Sequence, residues 1–179
     1  LNIASRVIEN GGEVIVLVPE IGLTPQMIER FKGRFGKNVA IIHSKLSSGE
    51  RYDEYRKVLN GDVKVVVGVR SAVFVPFKNL KMIIVDESHD SSYEFHDNLK
   101  YDTIEVAIHR MKGKGKVLLG SATPSIESYF YAKKGYYNLC ELKNRAKKGA
   151  FLPNTKIVDM RDELLMGNIS IFSRELRDA

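Results

Sequence analysis

Short apolar runs recur along this chain, and each gives way at once to a polar motif. The sharpest is Met82, Ile83, Ile84 and Val85, which lead straight into Asp86, Glu87, Ser88, His89 and Asp90. An apolar run that is β-branched at three of its four positions predicts a central parallel strand buried on both faces. Residues 14–18, 39–42, 63–67 and 116–119 read as further strands, and helical patterns separate them. Residues 1–10 place Ile3, Val7 and Ile8 on one face and close at Gly11 and Gly12. Thr24 followed by Pro25 predicts a helix start that turns Met27, Ile28, Phe31 and Phe35 inward. Ser47 with Glu50 forms a capping-box pattern for a helix that runs to Asn60 and stops at Gly61. Further helices are expected over 103–112 and from Thr123 and Pro124 to Lys133, Lys134 and Gly135.

Alternating strands and helices define an α/β, doubly wound parallel sheet with helices on both faces. The polar motifs at 19–26, 68–72, 86–90 and 120–124 each follow a strand, so all four lie along one sheet edge. Open α/β sheets carry their chemistry there. Asp86 and Glu87 emerge at that edge as a metal-holding carboxylate and a candidate base. On Val85, Asp86 and Glu87 alone, a solvated acidic turn is the competing reading.

The chain has 179 residues, 44% of them hydrophobic, which suits one α/β domain with a real core and some tail. There is no apolar run of membrane-spanning length and no signal-peptide pattern, so cytoplasm is the default. The single Cys140 excludes an internal disulfide, and no Cys/His cluster suggests a zinc site within these residues. A formal charge of +6 permits an anionic partner such as nucleic acid without requiring one. Residues 144–170 read as a linker with one short strand at 156–158, and 173–178 begin a new helix.

Val85 to His89, with Gly120, Ser121, Ala122, Thr123 and Pro124, resemble the second and third motifs of superfamily 2 helicases of the DEAH type. Pro19, Glu20, Ile21, Gly22, Leu23, Thr24, Pro25 and Gln26 form a far more specific octet. Joined by His43 and Ser44, Arg70 to Phe74, Asp90, Ser92, Tyr93 and Ser125 to Ser128, it is similar to the primosomal replication-restart helicases. The resemblance covers about residues 13–161. It departs from the family at Ser88, where a second Glu is usual, at Val69, at Leu99 and over Thr103, Ile104 and Glu105.

The resemblance implies a RecA-like lobe of the P-loop NTPase fold, lacking its first strand and phosphate loop, since no Gly-Lys-Thr occurs here. Residues 1–143 are then the first helicase lobe, starting after that loop. Residues 144–179 are the linker and the start of the second lobe. The implied activity is that of an ATP-dependent 3′ to 5′ DNA helicase that reloads the replication machinery at stalled forks, this portion alone being inactive as an ATPase. ATP and Mg²⁺ are the implied cofactors, with zinc only in the second lobe. Single-stranded and forked DNA, primosome proteins and single-strand-binding proteins are the implied partners, in the bacterial cytoplasm near the nucleoid and away from membranes.

By the same resemblance, Asp86 holds Mg²⁺ through water, Glu87 deprotonates the attacking water, and both belong to the nucleotide site. His89, Ser121, Ala122 and Thr123 link hydrolysis to movement, although Thr123 before Pro124 is also a good helix cap. Arg70, Ser71, Thr24 and Gln26 contact the single-strand backbone. Tyr93, Phe95, His96 and Tyr101 form an aromatic-rich loop whose rings stack on bases, and a small core cluster is the plainer alternative. Two other functions compete: another superfamily 2 motor, such as an RNA helicase or DNA translocase, and a nucleic-acid-binding module that has lost its motor. The octet argues against the first, and intact Asp86, Glu87 and His89 argue against the second.

Overall fold

Val14, Ile15, Val16 and Leu17 are all buried, and they form the middle strand of the sheet, β1 (Glu13–Leu17). A computed structural model describes residues 1–95, 100–144 and 155–178. These fall into two units, Leu1–Asn138 and Leu139–Ala179. In the first unit, β1 is joined by β2 (Val39–Ile42), β3 (Val65–Gly68), β4 (Leu80–Val85) and β7 (Lys116–Leu119). All pair in parallel in the order β2-β3-β1-β4-β7. A two-residue antiparallel pair, β5 (Glu94–Phe95) and β6 (Tyr101–Asp102), projects from the loop after β4.

The expectation that residues 82–85 are the central strand needs correction. The strand stands one place from the edge, between β1 and β7. Ile83 and Val85 are buried, whereas Met82 and Ile84 are only half-buried. An apolar run reports how much a strand can bury, and its neighbours decide how much it does.

Strand alternation sorts the core into two layers. Val14, Val16, Val18, Val65 and Val67 face α1 (Asn2–Glu9) and α2 (Pro25–Phe35) through Ala4 and Phe31. Ile15, Leu17, Val66, Ile83 and Val85 face the other way, onto Val58 of α3 (Ser48–Asn60) and Ala107 and Met111 of α4 (Thr103–Met111). Helices thus cover both faces of the sheet, as the alternating pattern requires.

Local signals set most helix ends. The Thr24 side chain accepts from the Met27 N–H, with Pro25 at the first helical position. Ser47 and Glu50 complete the capping box at α3, and Gly61 closes that helix at φ 82°. Asp102 caps α4, taking the N–H groups of Ile104 and Glu105 at 2.6 and 2.9 Å. The helix expected to start on Thr123 and Pro124 begins later, as α5 (Ile126–Lys133), with Ser125 as its cap. Thr123 is left in the loop, where its N–H donates to Ser121.

The second unit contains α6 (Met160–Leu165) and α7 (Arg174–Asp178). Glu163 joins them, accepting from the Arg174 backbone N–H at 2.9 Å, its guanidinium at 3.2 Å and the Asn168 amide at 2.7 Å. The strand expected at 156–158 does not form: Ile157 is 94% exposed, and among the described residues of this unit no strand is there to pair with it. An extended segment without a ladder partner gains neither hydrogen bonds nor burial.

Candidate active site

One row of paired residues crosses the carboxyl end of the sheet: Ile42, Gly68, Leu17, Val85 and Leu119. The loops that follow therefore start level with one another. Gly68 makes this possible at β3, because a Cβ there would lie 2.6 Å from the Ile42 carbonyl oxygen and 2.7 Å from the Ala72 Cβ. The loops after β1, β4 and β7 enclose a cleft of about 620 Å³, lined by Val18, Pro19, Ile21, Gly22, Met27, Asp86, Glu87, His89, Asp90, Ala122 and Thr123.

Asp86 and Glu87 stand exposed at this cleft, and backbone hydrogen bonds hold the chain beneath them. The Asp86 N–H donates to the Leu17 carbonyl at 2.9 Å, and the Ser88 N–H to the Gly120 carbonyl at 2.8 Å. Glu87 takes φ 45°, the left-handed region, and is the non-glycine residue that does so among the described residues. That conformation costs on the order of 1–2 kcal/mol for an L-residue, so its neighbours must hold it. His89 Nδ1 lies 2.8 Å from Ser121 Oγ and 3.6 Å from Glu87 Oε2. The loop after β4 is thereby joined to the loop after β7 through side chains as well as backbone. Asp90 accepts from Ser92, which holds its carboxyl below the usual carboxylate range.

Beyond Asp90 the chain makes one short turn, Ser91–Tyr93, and enters β5. Phe95 and Tyr101 are opposite one another across β5 and β6, with ring centroids 5.4 Å apart. Arg70, in the turn Arg70–Phe74 after β3, lies over Phe95 at 4.4 Å, and Phe74 meets Tyr101 edge-on at 5.2 Å. Arg70, Phe95 and Tyr101 therefore form one half-exposed cluster, with Ser71 beside Arg70.

Tyr93 does not belong to that cluster, and its reading as a base-stacking ring needs correction. It is 2% exposed and packs in the core with Ile83, Val85 and Ala107. A ring enclosed in this way offers no face to a base. Its hydroxyl instead donates to the Asp86 carbonyl at 2.7 Å. Burial first, then the Asp86, Asp90 and Glu87 carboxylates, raises its pKa and keeps it a donor. Thr24 and Gln26 stand exposed at the start of α2, on the β1 side of the cleft. His96 and Leu99 lie outside the described residues.

Sequence reasoning missed two residues that shape this edge. Arg110 of α4 donates from both terminal guanidinium nitrogens, to the carbonyls of Val73 and Val75, and so clamps the turn that carries Arg70. Thr103 is fully buried and donates to the Tyr93 carbonyl at 2.7 Å. Arg110 sits in no motif, and no local signal marks its contact across 37 positions of sequence, while the Thr103 hydroxyl reaches back 10 positions to Tyr93.

A five-stranded parallel sheet with an acidic pair at its carboxyl edge is the doubly wound architecture that carries its chemistry at that edge. The model of the DEAD/DEAH box helicase family matches residues 1–129, and the chain belongs to that family. Its relatives include the replication restart protein PriA of Bacillus subtilis, 54% identical over 174 residues, 97% of this chain and 22% of that protein. The replication restart protein PriA of Synechocystis is 46% identical over 185 residues, covering all of this chain and 22% of the relative. This chain thus spans about a fifth of the length of those relatives. Among solved structures, the C-terminal domain of S. cerevisiae Dbp5 bound to Gle1 shares the fold at TM-score 0.50 and 17% identity, over 75% of this chain and 78% of that one. No helix among the described residues is long and apolar enough to cross a membrane.

Proposed function

We propose that residues 1–143 of this chain belong to the first RecA-like lobe of an ATP-dependent DNA helicase that restarts replication at stalled forks by 3′ to 5′ movement. The observation that carries this reading is the single cleft around which the loops after β1, β4 and β7 bring Asp86, Glu87 and His89 together with Ala122 and Thr123. Three motifs far apart in sequence share one site, and that is what phosphoryl transfer by positioning and electrostatics requires. The names of the relatives support the choice of replication restart over an RNA helicase or a translocase.

In this reading, Asp86 holds Mg²⁺ through water. No cluster of three His, Cys, Asp or Glu side chains able to hold a metal occurs among the described residues. An exposed carboxylate at a strand end suits an ion that keeps its waters and takes its other ligands from substrate phosphates. When bound, the ion neutralises charge on the triphosphate. Glu87 orients the attacking water and takes its proton. His89, bonded to Ser121, relates the state of the acidic pair to the loop carrying Ala122 and Thr123.

Arg70 and Ser71 grip the phosphates of a single strand, Phe95 and Tyr101 meet its bases, and Thr24 and Gln26 extend the track past β1. Forked DNA, primosome proteins and single-strand-binding proteins are the partners of the full-length protein. In the full-length protein Glu87→Gln should lower DNA-stimulated ATP hydrolysis by about 10²–10⁴-fold while leaving ATP and DNA binding intact. A variant that turned over at a third of the normal rate would remove Glu87 from the role of base.

A further inference from the structure

The peptide unit between Asp86 and Glu87 is tied at both ends. Its carbonyl accepts the Tyr93 hydroxyl at 2.7 Å, and its N–H donates to Asp86 Oδ1 at 3.2 Å. This is the unit that leads into the left-handed φ of Glu87, the torsion on which the direction of the Glu87 side chain depends. The exposed residues on either side of the cleft offer nothing else that grips this carbonyl among the described hydrogen bonds.

Tyr93 is itself fixed. Its ring is in the core with Ile83, Val85 and Ala107, and its own carbonyl accepts from the buried Thr103 hydroxyl at 2.7 Å. Tyr93 and Thr103 flank β5 and β6, so the pair of hydrogen bonds runs from the start of α4, behind the hairpin, to the backbone of the acidic pair.

We propose that Tyr93 is a positioning residue for the reaction: its hydroxyl fixes the peptide between Asp86 and Glu87 and thereby aims the Glu87 carboxylate. The proposal rests on the reading of Asp86 and Glu87 as the carboxylates of ATP hydrolysis. A positioning group acts on the transition state and not on substrate affinity, so its loss lowers kcat and leaves KM in place. Tyr93 works through the Asp86 carbonyl, and its buried ring need not meet DNA.

The test uses the full-length protein and three substitutions. Tyr93→Phe keeps the ring in the core and removes only the hydroxyl. It should lower kcat for ATP hydrolysis by about tenfold, with and without single-stranded DNA, and leave KM for ATP and Kd for an oligonucleotide within about twofold. Thr103→Val, which frees the Tyr93 carbonyl, should show the same split at about threefold. Glu87→Gln calibrates the site. If that variant still turned over, the reading of the acidic pair would be wrong, whatever Tyr93 did. If it were inactive while Tyr93→Phe kept the normal kcat, the acidic pair would stand and the positioning role would be overturned. A Tyr93→Phe protein that lost kcat only in proportion to a lowered Tm would overturn it too, because the hydroxyl would then serve packing alone.

Discussion

The Arg70 guanidinium lies 4.4 Å over the centroid of the Phe95 ring, joining the turn after β3 to the hairpin after β4. Arg110 holds the same turn from beneath through the carbonyls of Val73 and Val75. A cation held over a ring at a half-exposed position keeps its charge available to an incoming phosphate while the ring limits its motion. Arg70→Ala should therefore weaken single-strand binding at all sequences alike and reduce the salt slope by about one. Fluorescence anisotropy across a salt series reads both. Unchanged affinity at low salt would remove Arg70 from the strand's path.

Gly68 is where the sheet edge is tightest. Alanine there meets the Ile42 carbonyl and the Ala72 Cβ below 3 Å, and a backbone oxygen inside a ladder cannot move aside cheaply. Gly68→Ala should cost about 1–3 kcal/mol, lowering Tm by about 2–4 °C per kcal/mol for a chain of this size. Gly49, within α3, has nothing within 4 Å of its would-be Cβ. Gly49→Ala should hold or raise Tm, because alanine favours helix by about 1 kcal/mol over glycine. Thermal denaturation of the two variants side by side separates a steric clash from a general intolerance.

What the sequence makes legible here is what depends on neighbours in the chain. Thr24 with Pro25, and Ser47 with Glu50, cap their helices as read, because a cap bonds to an N–H only three residues away. The parallel sheet and its shared polar edge follow from alternating periods in the same way. Tyr93 is different. An aromatic ring in a polar stretch looks the same whether it faces water or the core, and only the packing of α4 against β4 buries this one. The rank of residues 82–85 within the sheet is non-local for the same reason. Thr123 before Pro124 carries the cap pattern, yet Ser125 is the residue that caps α5.

In the second unit, Glu163 is 8% exposed, and its pKa falls from 4.5 to about 2. The Arg174 side chain is the main cause, followed by the Arg174 backbone N–H and the Asn168 amide. A carboxylate whose folded pKa is depressed contributes stability above its unfolded value, and that contribution is lost as pH falls toward the folded one. The junction of α6 and α7 should thus hold above pH 4.5 and loosen progressively on acidification toward about pH 2. NMR chemical shifts of residues 160–178 through an acid titration follow it. Glu163→Gln should be loosened already at neutral pH and show little further change over that range.

Ser121 offers the sharpest test of how the two loops at the cleft communicate. Its Oγ lies 2.8 Å from His89 Nδ1 and accepts from the Thr123 N–H at 3.0 Å. One hydroxyl thus touches the acidic loop and orders the Ala122 and Thr123 loop. The backbone junction does not depend on it, since the Ser88 N–H still reaches the Gly120 carbonyl. Ser121→Ala should accordingly cost only about 0.5–1.5 kcal/mol of stability. It leaves Asp86, Glu87 and Tyr93 in place, so ATP hydrolysis in the full-length protein should stay within about threefold of normal. If His89 is the coupler proposed above, strand separation should fall by about tenfold or more, because its 2.8 Å contact to the next loop is lost. Ser121→Thr, which keeps the hydroxyl, should recover most of the loss. The measurement pairs ATP consumed with forked duplex unwound in the same reaction. A constant ratio of the two in Ser121→Ala would show that the contact only stabilises the loops, and that coupling runs by another route.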